Sequence, residues 1–87
     1  MHAVVVKVTI TDQDEAESAL REQVVPGVSQ APGFVAGYWT RKENGGLSML
    51  VFESEDAANG MSDRVKAMIP EAVTLEDVEV REVVAQA

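Results

Sequence analysis

Apolar positions in the first third of the chain follow a strand period and then a helix period. The stretch His2–Ile10 is rich in β-branched residues and is interrupted only by Lys7, which is typical of a strand covered on both faces. Thr11 follows it and can cap a helix. In that helix three apolar residues recur four apart and form a narrow stripe: Ala16, Leu20 and Val24. Pro26 and Gly27 are expected to end the helix.

The middle of the chain has the pattern of a β-hairpin. Residues Phe34–Thr40 are strong β-formers, and a second β-rich run covers Leu47–Glu53. Asn44 and Gly45 lie between the two runs, and Asn-Gly is the strongest short-range hairpin signal in a sequence. We therefore predict two antiparallel strands joined by a turn at Asn44-Gly45.

A second helix and a last strand complete the pattern. Ser54 can cap the helix and Pro70 stops it. Five apolar residues fall on one face of this helix: Ala57, Ala58, Met61, Val65 and Met68. Gly60, in its middle, is either a tolerated weak helix former or a point of close backbone packing. Alternation of valine with charged residues predicts the last strand over Val73–Ala85.

The element order β-α-β-β-α-β predicts an α+β fold. Right-handed crossovers place both helices on one face of a four-stranded antiparallel sheet and leave the other face bare. The strands, however, are apolar on both faces: Val4 and Val6 point one way, and Ala3 and Val5 point the other. A contiguous apolar sheet face usually marks an interface, so we predict a homodimer with the open sheet faces packed together.

Length and charge narrow the classes of function. The chain has 87 residues, so residues 1–87 are expected to form one domain. Its net charge of -8 repels phosphate backbones and anionic lipid, which argues against nucleic acids and membranes as partners. The acidity either serves solubility or attracts a cationic ligand. There is no cysteine and no signal-peptide pattern, so a cytoplasmic protein without thiol chemistry is expected.

Several short segments resemble a known superfamily. They are Pro32–Phe34, Gly37–Trp39, and Val51–Glu55 leading to Ala57 and Ala58. With these segments and its element order, the chain resembles the dimeric α/β-barrel superfamily over its full length. Within that superfamily it is similar to the antibiotic-biosynthesis-monooxygenase-like group.

The resemblance implies a ferredoxin-like protomer, a barrel formed by two sheets, and a pocket between helices and sheet. Group members include oxygenases that act on aromatic polyketides without a cofactor, so no cofactor is expected for this chain. Haem-degrading relatives use an asparagine on the first strand and a histidine on the second helix. In this chain the stretch His2–Ile10 contains no asparagine, and the only histidine is His2. Haem degradation is therefore disfavoured.

Trp39, Tyr38 and Arg81 are the candidate catalytic residues, because the resemblance implies asparagine, tryptophan, tyrosine and arginine in the pocket. Trp39 and Tyr38 are adjacent on one strand, so their side chains must point to opposite faces. Either aromatic residue could instead serve only in packing or at the dimer interface. Arg81 is either a clamp for a substrate anion or part of a cross-strand ion pair involving Lys7 and Glu79.

Two functions remain open at this point. The first is a cofactor-independent monooxygenase acting on a small aromatic or quinone-like metabolite. The second is a non-catalytic dimer that binds a small hydrophobic ligand or assembles with another protein. An open cavity with at least two converging hydrogen-bond donors would favour the first.

Overall fold

The computed structural model describes residues 1–87 and contains four strands and two helices. The strands are β1 His2–Ile10, β2 Phe34–Lys42, β3 Gly45–Phe52 and β4 Val73–Glu82. The first helix consists of α1 Gln13–Ala19, a π-helical turn Leu20–Val24 and α2 Val25–Ser29; the second helix is α3 Glu55–Ala67. No helix has the length and apolar character needed to span a membrane.

All strand pairs are antiparallel and the sheet order is β2-β3-β1-β4. This order, with both helices on one side of the sheet, confirms the α+β fold class and is compatible with a ferredoxin-like fold. We call the helix-covered side the helix face and the other side the open face. Side chains on the open face come from all four strands: Ala3, Val5 and Lys7; Ala36 and Tyr38; Leu47, Met49 and Val51; Asp77, Glu79 and Arg81.

The core lies between the helix face and the second half of the first helix together with α3. Its largest fully buried side chains are Val4, Leu50 and Phe52. Phe34 packs edge-on against Phe52, with ring centroids 5.8 Å apart. Burial of a large apolar side chain stabilises the fold by roughly 1.5–3 kcal/mol, so these residues hold the helices onto one face.

A β-bulge changes which way Phe34 points. Simple alternation along the strand places Phe34 on the same face as Tyr38, and this expectation is wrong. The pairing of β2 with β3 shifts register between Phe34 and Ala36, so one extra residue is inserted in β2. Phe34 consequently joins Trp39 against the core, while Tyr38 stays on the open face.

The first helix begins one residue later than predicted. Asp12, and not Thr11, is the N-cap, and its carboxylate accepts a hydrogen bond from the backbone N–H of Glu15 at 3.1 Å. The Thr11 hydroxyl is engaged elsewhere, because it donates to the carbonyl of Ala72 at 2.9 Å. A carboxylate next to the positive end of the helix dipole is the better cap.

The same helix does not end at Pro26-Gly27, as expected, but continues to Ser29. A π-helical turn precedes the proline, and in it the N–H of Val25 donates to the carbonyl of Leu20, five residues back. Pro26 therefore occupies the first turn of a new α-helical segment, where its missing N–H is tolerated.

The hairpin is present, but its turn lies one residue earlier than predicted. Lys42 pairs with Gly45, so Glu43 and Asn44 form the loop, and Glu43 adopts a positive φ of 56°. Gly45 and Gly46 belong to β3. Gly46 is needed in the sheet because a Cβ there would lie 2.7 Å from Val8 Cγ2.

The last strand is shorter than predicted and ends at Glu82 instead of Ala85. Its partner strand provides the reason, because Glu82 pairs with His2, the first residue of β1. One further hydrogen bond joins the N–H of Val83 to the carbonyl of Met1 at 3.0 Å. Beyond it no partner strand remains, and Val84 is 87% exposed.

The second helix begins as predicted, with the Ser54 hydroxyl accepting from the N–H of Ala57 at 3.2 Å. Ala58 and Met61 are buried, whereas Met68 lies beyond the last helical residue and is half exposed. A Cβ at Gly60 would meet nothing within 4 Å. Close backbone packing at Gly60 is therefore ruled out, and the glycine is a tolerated weak helix former.

Candidate ligand cavity

A cavity of about 250 Å³ lies between the two helices and the helix face of the sheet. Most of the residues around it are apolar, among them Val6, Val8, Ile10, Leu20, Met61 and Val65. Ligand pockets are typically concave, mostly apolar and furnished with a few polar groups. The cavity has this character.

Small side chains on both walls explain why the space is not filled. Ala16 and Gly27 line it from the first helix, and Gly46 and Ser48 line it from β3. Only the second half of that helix reaches the core, through residues such as Val28. The first half consequently stands away from the sheet and leaves the cavity below it.

Trp39 lies in the cavity wall and is half-buried. Its six-membered ring covers Gly37. Ser48 pairs with Trp39 across β2 and β3 and also lines the cavity. Neither the indole N–H nor the Ser48 hydroxyl makes a side-chain hydrogen bond within the protein, so both groups can serve a ligand.

A polar network closes one side of the cavity mouth. Arg41 Nη1 donates to Gln13 Oε1 at 2.9 Å and lies 3.2 Å from Glu17 Oε1. The amide nitrogen of Gln13 in turn donates to the Glu43 carbonyl and to Asn44 Oδ1, each at 3.2 Å. These bonds tie the first two turns of the helix to the hairpin.

Arg64 lines the cavity from α3 and has no carboxylate within 4.0 Å. Its guanidinium is exposed, with every donor available. An unpaired arginine beside an apolar cavity can bind an anionic or strongly polar ligand group.

The three predicted catalytic residues are not brought together. Trp39 is in the cavity wall, whereas Tyr38, which is 66% exposed, and Arg81 are on the open face. The prediction that Tyr38 and Trp39 point to opposite faces is confirmed. Whether any of the three takes part in catalysis stays a prediction.

Arg81 forms an ion pair along its own strand and not across to the neighbouring one. Its Nε lies 2.8 Å from Glu79 Oε2. The hydrogen bond between the two side chains, and secondarily the attraction of their opposite charges, lowers the pKa of Glu79 and raises the pKa of Arg81. Lys7 pairs in register with Asp77 and forms no ion pair within 4.0 Å, so the cross-strand interpretation is wrong.

Residues missed by the sequence reasoning carry most of the polar character of the cavity. Arg41 follows Trp39 by two positions in β2, and alternation puts it on the same face. Gln13 and Glu17 are four apart and flank the apolar stripe of the first helix. The sequence pattern therefore specifies the face on which each of these residues lies, but not how close they lie to one another.

No family model matches this chain, and no curated protein matches it. No group of three or more histidine, aspartate or glutamate side chains is arranged to hold a metal ion. The likeness to the antibiotic-biosynthesis-monooxygenase-like group therefore stays a proposal. The cavity is the feature that points to a function.

Proposed function

We propose that this chain is an antibiotic-biosynthesis-monooxygenase-like protein whose cavity binds a small aromatic molecule carrying an oxygen substituent. One observation supports this above all: Trp39 and Ser48 line an open apolar cavity, and neither the indole N–H nor the Ser48 hydroxyl makes a side-chain hydrogen bond within the protein. The apolar wall takes the rings of the ligand, and the two groups orient its oxygen.

The size and lining of the cavity support a ligand of one or two rings. Its volume of about 250 Å³ lies just below the usual range for drug-sized ligands, about 300–1,000 Å³. Transfer of an aromatic body from water into such a site is favourable at roughly 25 cal/mol per Å² of apolar surface. A hydrogen bond to Ser48 adds orientation more than affinity.

Calorimetric titration with 2-naphthol tests the binding. Trp39 is the only tryptophan, so its emission reports on the cavity in parallel. We expect Ala16→Leu, which extends a side chain into the cavity, to weaken binding at least about tenfold. Ser18→Leu, on the exposed side of the same helix, is the matched control and should change binding less than about twofold. Binding unaffected by Ala16→Leu would place the ligand elsewhere.

Cofactor-independent oxygenation is the second candidate function, favoured by the same pair of donors beside an apolar space. Such a site can stabilise the anion of an electron-rich substrate as it reacts with oxygen. With 1,4-naphthohydroquinone, one oxygen atom of O₂ enters the ring, the other leaves as water, and the quinol supplies the electrons. The product is 2-hydroxy-1,4-naphthoquinone.

Oxygen uptake with ¹⁸O₂ tests this reaction. We expect label in the ring of the product, and a lower rate in Ser48→Ala, which removes a donor at little change in volume. Hydrogen peroxide without ring labelling would mean that the quinol is merely oxidised in solution. That result would leave ligand binding as the function of the cavity.

We also propose that two copies associate through the open face. Tyr38, Leu47 and Met49 are exposed there by 66%, 52% and 47%. Large apolar side chains clustered on one face of a small protein favour association, and charged groups on β4 provide a polar rim. The barrel implied by the resemblance needs this pairing.

Sedimentation velocity tests the dimer. Met49→Glu places a charge in the centre of the apolar patch and should give a monomer. Met68→Glu, at a methionine on the helix side that is 55% exposed, should leave the dimer intact. A wild-type monomer at micromolar concentration would overturn the proposal.

A further inference from the structure

The lining of the cavity has a charge opposite to that of the protein. The chain contains 15 acidic and 7 basic residues. Of all these, only Arg41, Arg64 and Glu17 line the cavity. Two cations and one anion therefore surround an apolar space in a protein whose net charge is -8. Solubility alone does not require this arrangement.

Both arginines lie at the same end of the domain. Arg41 pairs with Gly46, directly beside the hairpin. The α3 helix leaves β3 at the opposite end and runs back, so Arg64, near its C-terminus, returns to the hairpin side. One polar group of a bound ligand can therefore be directed toward the end that holds both guanidinium groups.

The single acidic residue is already engaged. Glu17 Oε1 lies 3.2 Å from Arg41, and Glu17 Oε2 lies 3.5 Å from Arg21. Glu17 thus occupies Arg41 in the way that a ligand carboxylate would, whereas Arg64 has no such partner. A carboxylate on the ligand would bind Arg64 directly and compete with Glu17 for Arg41.

We infer that the cavity selects apolar carboxylates: the hydrophobic body occupies the space beneath the first helix, and the carboxylate binds Arg64 and Arg41 at the hairpin end. This rests on the proposed binding function and names the class of its ligand. Arginine suits the role because its planar guanidinium matches a carboxylate and is charged at every physiological pH.

The experiment compares 2-naphthoate with 2-naphthamide, which has the same rings but no charge. At low ionic strength we expect naphthoate to bind about tenfold more tightly, and the preference to shrink in 0.5 M salt. Octanoate serves as the alkyl carboxylate, so its comparison with naphthoate distinguishes an aryl acid from an alkyl acid as the ligand. Tighter binding of naphthoate supports an aryl acid, and tighter binding of octanoate supports an alkyl acid.

Two variants with opposite expected effects test the residues. Arg64→Gln should weaken naphthoate binding about five- to tenfold and leave naphthamide within about twofold. Glu17→Gln removes the competing carboxylate and should tighten naphthoate binding about threefold or more. Lys66→Gln changes the same charge on the same helix outside the cavity and is the control, with less than about a twofold effect.

Each outcome separates this inference from the proposed binding function. Naphthamide binding as tightly as naphthoate, or an equal loss in Arg64→Gln and Lys66→Gln, would overturn the selection for carboxylates while ligand binding stands. Failure of naphthoate, naphthamide, octanoate and 2-naphthol to bind would overturn both. Circular dichroism of each variant establishes that it is folded before binding is compared.

Discussion

Trp39 lies over Gly37 so closely that a Cβ at position 37 would be 2.9 Å from Cη2 of the indole. Trp39 is the main aromatic group of the cavity wall, so we expect Gly37→Ala to displace it and to lower the free energy of unfolding by about 1–3 kcal/mol. The near-UV circular dichroism and the emission maximum of the single tryptophan should change together. An unchanged spectrum would mean that the added Cβ is accommodated without displacing the ring.

Gly46 and Val8 form a second close approach, because a Cβ added at Gly46 would lie 2.7 Å from Val8 Cγ2. Gly46→Ala should therefore destabilise the fold by roughly 1–3 kcal/mol. Val8→Ala removes the clashing methyl group, so the double variant should be less destabilised than the sum of the single variants by about 1 kcal/mol. Urea denaturation of the four proteins measures this coupling, and strict additivity would contradict it.

Gly60 offers the opposite case, because a Cβ there would meet nothing within 4 Å. It lies inside α3 and is exposed. We expect Gly60→Ala to stabilise the protein by about 0.5–1 kcal/mol through its effect on backbone entropy. Thermal unfolding checks the sign, and a lower melting temperature would contradict this prediction.

The Glu79–Arg81 pair predicts a dependence on pH. Arg81 lowers the pKa of the Glu79 carboxyl below its ordinary value of 4.5. Because the folded-state pKa is the lower one, the pair stabilises the fold above about pH 4.5, and this contribution is lost as the pH falls through the folded-state pKa. Titration of the Glu79 side chain by NMR should show a higher midpoint in Arg81→Gln. An unchanged midpoint would contradict the contact, and Lys42→Gln is the control.

Local patterns were sufficient to predict the sheet and both helices. The cap at Ser54, the hairpin signal near Asn44 and the alternation in β4 each depend on neighbouring residues only. The bulge after Phe34 and the shortened end of β4 could not be predicted in this way. Both are set by a partner strand, which a single stretch of sequence does not specify.

The candidate site was predicted only in part for a similar reason. Alternation correctly separated Trp39 from Tyr38, and the same rule puts Arg41 beside Trp39. The relation of Arg41 to Glu17, however, spans the gap between sheet and helix. That gap depends on how far Ala16 and Gly46 let the two layers approach, which is a property of the packed structure.

The π-helical turn at Leu20–Val24 sets the rotational phase of the helix that covers the cavity. Each residue of an α-helix turns the chain by about 100°. Deletion of one residue from this turn would therefore swing Gln13 and Glu17 away from Arg41, while Val28 stayed in the core. The orientation of the cavity mouth thus depends on a backbone irregularity one turn away. A variant that keeps every side chain of the mouth but loses the π-helical turn would therefore lose this orientation.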